Sequence, residues 1–276
     1  HQDFEKRYPD ATREYVLEFL LFDAKNPNSI LSCISNAREQ ARTIREVLPT
    51  GIWEQLNKFW RLVVEASQDP KILEQPAEFC ESVKMASHLV GGVAQSAMLR
   101  DEAWSFFNAG LLIERADKTS RIVDVQYFLL LPQVEDVGTS IDINRWSSLL
   151  RSADALQMYR RTHGRIATDK VAEFLILEPN FPRSIRFCVE HLLQSIASMR
   201  DISPQWSDLQ SEFLVGQLAG KLKDTSIDEI IGQGMHAFID QLQGALNSIG
   251  NAINGDFFDT RIQQQRFFSQ RQSQSQ

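Results

Sequence analysis

Gly110-Leu-Leu-Ile-Glu114-Arg115-Ala-Asp117-Lys118-Thr-Ser-Arg121 strings charges along a segment whose flanks are apolar and aromatic. At about 100° per residue, Phe107, Gly110, Glu114, Asp117, Arg121, Val125 and Phe128 fall on one stripe of a helix. The adjoining stripe carries Trp104, Leu111, Arg115, Ile122 and Leu129, and the far side offers Ala109, Leu112, Ala116 and Val123. Apolar groups nearly all round predict a long central helix buried inside a bundle. The acid-before-base spacing of four pairs Glu114 with Lys118 and Asp117 with Arg121. Interior charges persist only when paired and hydrogen-bonded, so a buried ion network is the expectation for this helix.

Outward from it, almost every segment repeats at three or four residues, and no alternating strand pattern stands out. The chain therefore reads as all-α, a multi-helix bundle of about nine or ten helices. Pro9 and Asp10 open a helix through Phe22, and Asn26-Pro-Asn-Ser29 caps one that runs to Leu48. Helices follow over Gly51–Ser67 and Ala77–Met98, and the central helix runs on to Leu131, where Pro132 stops it. After a loop at 133–140 the pattern resumes over Asp142–Thr162, Thr168–Leu177, Pro182–Asp201, Pro204–Lys223 and Ser226–Asn254. Residues 1–255 are expected to form one domain with a possible subdivision near 133–141. Residues 256–276, rich in Gln, Ser and Arg, read as a flexible tail.

The 276 residues carry a net charge of −7, which argues against general nucleic-acid binding, since phosphate neutralisation needs a basic surface. Charge is uneven along the chain. Residues 143–200 hold nine cations against five acids, and residues 201–260 hold two against nine. Either the acidic final helices dock on the arginine-rich middle and both are solvated faces, or the middle third holds an anion site. Cys33, Cys80 and Cys188 are odd in number and far apart, as reduced thiols in a cytoplasm would be. No secretory leader pattern and no apolar run of membrane-spanning length occurs, so a cytoplasmic protein without a membrane partner is expected. The sequence opens at His1 without a methionine, as a processed or partial chain does.

Tests for chemistry find no Glu-x-x-His pair, no GxSxG elbow, no GxxxxGK[ST] loop and no GxGxxG after a strand, so neither a metal nor a cofactor is expected. His236 and Asp240 share a helix face, the spacing of a structural hydrogen bond more than of a metal shell. Cys188, beside Glu190 and His191, is the best candidate thiol nucleophile, although adjacent helix positions point different ways. Arg38, Arg42 and Arg45 share a face with Glu39 and Glu46 near them, and Pro182-Arg183-Ser184-Ile-Arg186 opens a helix whose free N–H groups suit an anion. These arrays either pair across the bundle and fix register, or converge on an acidic ligand or peptide carboxylate. If the protein is an enzyme, Glu114, Asp117 and Arg121 are the candidate catalytic groups.

Several pieces resemble the bacterial alpha-E family, an all-helical domain named for a Glu-Arg motif. They are Ser35-Asn-Ala-Arg38-Glu39-Gln-Ala-Arg42, Met98-Leu-Arg100-Asp-Glu102-Ala-Trp104, Glu114-Arg115-Ala-Asp117-Lys118-Thr-Ser-Arg121, Tyr159-Arg-Arg161, and Glu173-Phe-Leu-Ile-Leu-Glu-Pro-Asn-Phe-Pro-Arg183-Ser-Ile-Arg186-Phe. Together they span about residues 20 to 200. Proteins of this kind usually have an earlier Glu-Arg helix near their start, missing here, and often Arg where Leu111 stands. The resemblance implies no established reaction. It implies a place beside, or fused to, a circularly permuted ATP-grasp protein resembling peptide-forming amidoligases, often with a transglutaminase-like protease. Three function classes follow: a non-catalytic accessory or substrate-binding subunit of such a ligase, an enzyme of unrecognised type, or a self-assembling structural protein.

Overall fold

A computed structural model describes residues 2–129, 140–202 and 208–259. These residues are helices and their connections, without a strand, and they fall into two compact units, His1–Leu99 and Arg100–Gln276. Most of the 133–141 stretch lies outside the described residues.

The first unit holds α1 (Gln2–Glu5), α2 (Arg13–Leu21), α3 (Ile30–Thr43), α4 (Thr50–Ala66), α5 (Lys71–Glu74) and α6 (Ala77–Ala97). Thr12 and Ser29 cap α2 and α3 by accepting the backbone N–H of Tyr15 and Ser32. Helix α4 packs against both α3 and α6, because its apolar positions Ile52, Leu56 and Val63 recur at helical spacing and are buried. Ile34, Ala41 and Ala94 meet that seam from the neighbouring helices.

The second unit holds α7 (Glu102–Leu129), α8 (Ser140–Ser152), α9 (Leu156–His163), α10 (Thr168–Leu177), α11 (Ile185–Ile202), α12 (Gln210–Asp224), α13 (Ile227–Gln233) and α14 (Met235–Phe257). Helices α7, α11, α12 and α14 pack as a closed ring of four, each on the next. The short α10, with Val171, Ala172 and Phe174–Leu177 buried, lies against α7, α8, α9, α11 and α13. An all-round apolar helix of this kind belongs at a centre, and α10 fills that role.

Helix α7 does not, and the expected burial is corrected here. Its inward face is Ser105, Ala109, Leu112, Ala116, Thr119, Ser120 and Val123, small side chains that let α11 approach closely. Glu114, Lys118 and Arg121 point outward, with side chains 71%, 58% and 53% exposed, and Asp117 between them is mostly covered, its side chain 17% exposed. Leu111 and Val125 lie on the same exposed side. Apolar residues contribute much of any protein surface, so their presence on every face of α7 did not require burial on every face.

The helix count also exceeds the nine or ten expected: fourteen segments are described. Asp154, in the left-handed region at φ 54°, divides the expected Asp142–Thr162 helix into α8 and α9. Gly234, at φ 96°, divides Ser226–Asn254 into α13 and α14, a conformation that glycine adopts without the steric cost other residues carry. Two further segments, α1 and α5, are single turns. At the other end α14 continues through Phe257, so Asp256 and Phe257, assigned to the tail by composition, are buried parts of the unit. Residues 260–276 lie outside the described residues.

Candidate functional site

The Glu-Arg motif parts its two members. Glu114 faces solvent and reaches Lys118 at 3.5 Å, while Asp117 receives Lys118 at 3.5 Å and Arg121 at 2.8 Å. Both spacing-of-four pairs therefore form, on the surface, where such pairs contribute roughly 0.3–0.5 kcal/mol each. Glu114 and Arg121 face solvent, so with Asp117 they do not form the buried cluster that the catalytic alternative supposes.

Arg115 turns the other way. Its Nη1 donates to the Pro182 carbonyl at 3.1 Å, and Thr119 Oγ1, one turn later, donates to the Arg183 carbonyl at 2.9 Å. Both carbonyls belong to the turn Glu178-Pro-Asn-Phe-Pro-Arg-Ser184 that joins α10 to α11, a segment in which two prolines remove backbone donors. Within it, Asn180 N–H donates to Glu178 Oε1 at 3.0 Å, and the buried Ser184 hydroxyl donates to the Glu178 carbonyl while accepting Phe187 N–H at 3.1 Å. That serine caps α11. Cys188 Sγ, one turn into α11, also lies on the Pro182 carbonyl at 3.5 Å.

Burial lowers Arg115 from the usual arginine range, opposed by Cys188 and reinforced by the neighbouring Arg183 guanidinium. For Cys188 burial dominates too, pushing the thiol up to about 12 in spite of the nearby Arg115 and Arg183. It is a protonated core thiol. The residues beside it do not serve it: His191 Nδ1 meets the Phe187 carbonyl at 2.9 Å, and Glu190 accepts Arg186 at 2.8 Å.

The remaining sequence candidates scatter. Arg38 donates through Nε to Asn57 at 2.7 Å, contacts Glu39 at 3.1 Å and lies over the rings of Trp60 and Trp53 at 4.6 and 5.6 Å. Arg45 covers Trp53 at 5.4 Å and Arg42 holds Glu39 at 2.9 Å, so this array belongs to the α3–α4 packing of the first unit. Arg100 lies over Trp104 at 3.8 Å. Arg161 is exposed, whereas Tyr159 beside it is buried, its hydroxyl donating to the Arg165 carbonyl and accepting Ala167 N–H to hold the loop into α10. Both partners of that hydroxyl are backbone groups, so nothing in Tyr159-Arg-Arg161 marks the role in the sequence.

His236 does not rely on Asp240. Its Nδ1 meets Asp124 Oδ1 at 2.7 Å, joining α14 to α7, and Asp124 raises its pKa, helped less by the Asp240 charge. A raised folded-state pKa means that the pair's stabilisation is fully present below the ordinary histidine value of about 6.5 and is lost as pH rises through the folded value. An NMR titration of the His236 ring should therefore show an upward displacement that Asp124→Asn abolishes; an unchanged midpoint in that variant would refute the pairing.

Among the described residues no group of three or more His, Cys, Asp or Glu could hold a metal ion, and no helix is long and apolar enough to cross a membrane. A groove of about 260 Å³ lies between α12 and α14, lined in part by Leu214, Lys221, Phe238 and Gln241, away from the sequence candidates.

The family model of Alpha-E, described as a predicted alpha-helical domain with a conserved ER motif, matches residues 1–258. Uncharacterized proteins of Mycobacterium bovis and Mycobacterium tuberculosis are 22% identical over 246 residues, which is 86% of this chain and 27% of each relative. The chain thus spans about a quarter of the length of these curated relatives. No solved structure matches.

Proposed function

We propose, from the premise that this chain belongs to the Alpha-E family, that it is a non-catalytic helical binding module. In this proposal it works with an ATP-grasp amidoligase in peptide synthesis or modification, and a transglutaminase-like protein is a further partner. The observation that carries the non-catalytic part is the engagement of Arg115 on the Pro182 carbonyl: the motif's half-buried charge ties α7 to the α10–α11 turn and is not aimed at a substrate. The protonated Cys188 and the solvent-facing Glu114 support the same reading. The ligase association rests on the family resemblance, and the much greater length of the relatives suits a module joined to other domains. An acidic or peptide ligand is the class that exposed, unpaired arginines would receive.

The test is co-purification with the ligase and measurement of ligase turnover with and without this chain. A stable complex and a drop in turnover on removal are expected; turnover indifferent to removal would refute the proposal. In the same assay Glu114→Gln should leave both turnover and melting temperature unchanged, whereas lost turnover at an unchanged melting temperature would restore the enzymatic alternative.

A further inference from the structure

Helices α12 and α14 run antiparallel, since Ser211 N–H reaches Asp256 at one end of the pair and Lys221 Nζ reaches Gln241 Oε1 at 3.3 Å toward the other. The groove between them has an apolar floor of Leu214, Phe238, Leu242 and Ala245, of which Leu214 and Ala245 are half-buried. Its rim is different. Gln217, Gln241 and Ser248 are exposed there, and side-chain amides and hydroxyls are partners for the N–H and C=O groups of an extended backbone. Lys221, the one cation among the lining residues, is turned to Gln241 and the Phe238 ring. One turn before Gln217 on the same side of α12, Phe213 is 59% exposed. Apolar floor and amide rim together suit a strip of peptide that carries apolar side chains.

The chain carries such a strip close by. Helix α14 ends at Phe257, and Arg266-Phe267-Phe268 follows it in the sequence. At about 1.5 Å per residue, the stretch of groove from Ser248 to Leu242 lies about 14 to 22 Å back along α14 from its end. The connection from Asp259 to Phe267 spans up to about 26 Å when extended, enough to turn and run back beside the helix. Charge selects the same occupant. Residues 210–259 hold two cations, Lys221 and Lys223, against seven acids, whereas residues 260–276 hold Arg261, Arg266 and Arg271 and no acid. We propose that the groove between α12 and α14 is the docking site of the chain's own residues 266–271, with Phe267 and Phe268 seated on the apolar floor. Covalent attachment through so short a connection raises the effective concentration of the segment to about the millimolar range, so weak seating suffices. A foreign peptide gains the groove only by displacing it. The inference is independent of the ligase assignment.

Disulfide trapping in the full chain tests it, with the exposed thiols removed by Cys33→Ser and Cys80→Ser. Gln265→Cys is combined with Ser248→Cys on α14 or, separately, with Gln217→Cys on the opposite wall; both groove positions are exposed, and unchanged thermal melting confirms that each variant folds. Under mild oxidation each pair should close within one chain, at a rate independent of protein concentration. Adding Phe267→Ser with Phe268→Ser should slow closure about tenfold or more, because the tether remains and the burial of two aromatic rings is lost. Closure at the same rate with and without the two phenylalanines overturns the proposal, since it then reports the tether alone. Cross-links that form only between chains, faster as concentration rises, overturn it in favour of a second copy's segment as the occupant.

Discussion

Asp256→Ala is expected to lower the melting temperature of the second unit by roughly 6–12 °C, the equivalent of about 3 kcal/mol in a domain of this size. Asp256 is 3% exposed, at the last turn of α14, and its Oδ2 accepts Ser211 N–H at 2.7 Å. That N–H is one of the first donors of α12, which no earlier helical carbonyl can satisfy. Alanine leaves it buried and unpaired beside the Ser211 hydroxyl, itself buried without a partner. The cost is the full desolvation of the donor, larger than the net value of the bond. Asp256→Asn keeps an acceptor of similar shape and should recover part of the loss. Calorimetry decides it: a shift under about 2 °C for the alanine variant would show that the cap carries little of the unit's stability.

Asp256 also shows where the sequence stops being informative. Composition after residue 255 is that of a tail, and nothing local distinguishes an aspartate that caps a helix 45 residues earlier from one in solvent. Helical class was legible because period-3.6 patterning is a property of each segment alone. Pairing of Glu114 with Lys118 and Asp117 with Arg121 was legible for the same reason, being set by spacing within one helix. The side of α7 that is buried was not, since it depends on the small face of Ala109 and Ala116 meeting α11, a packing choice made across 60 or more residues. Arg115 is the sharpest case: its partner is a main-chain carbonyl 67 residues away, and backbone acceptors leave no mark in the residue code. The charge asymmetry divides similarly. Arg200 does bind Glu212 at the start of α12, as docking of the acidic helices on the middle region requires, yet the arginines of α8 and α9 find no such partner among the described residues.

Cys188 should resist thiol reagents by orders of magnitude relative to Cys33 and Cys80 in the folded protein, and this result bears most directly on whether the chain is an enzyme. Only the thiolate attacks, and a thiol held near 12 is ionised in about one molecule in ten thousand at pH 8. Two guanidiniums stand close enough to favour the anion, so the outcome is a contest between charge and desolvation. Desolvation wins because Cys188 has no exposed surface and lies under the α10–α11 turn on the Pro182 carbonyl, an acceptor that favours the protonated form. Cys33 and Cys80 are exposed and lack this shield. Alkylation followed by mass spectrometry should therefore label those two in the native state and Cys188 only after unfolding. Arg115→Ala, which frees one side of the Pro182 carbonyl, should loosen the turn and raise Cys188 labelling, at rates set by local opening instead of by the reagent. Labelling of native Cys188 as fast as Cys33 would mean that a thiolate is present beside two arginines, and the scaffold account of the Glu-Arg motif would give way to nucleophilic chemistry at the head of α11.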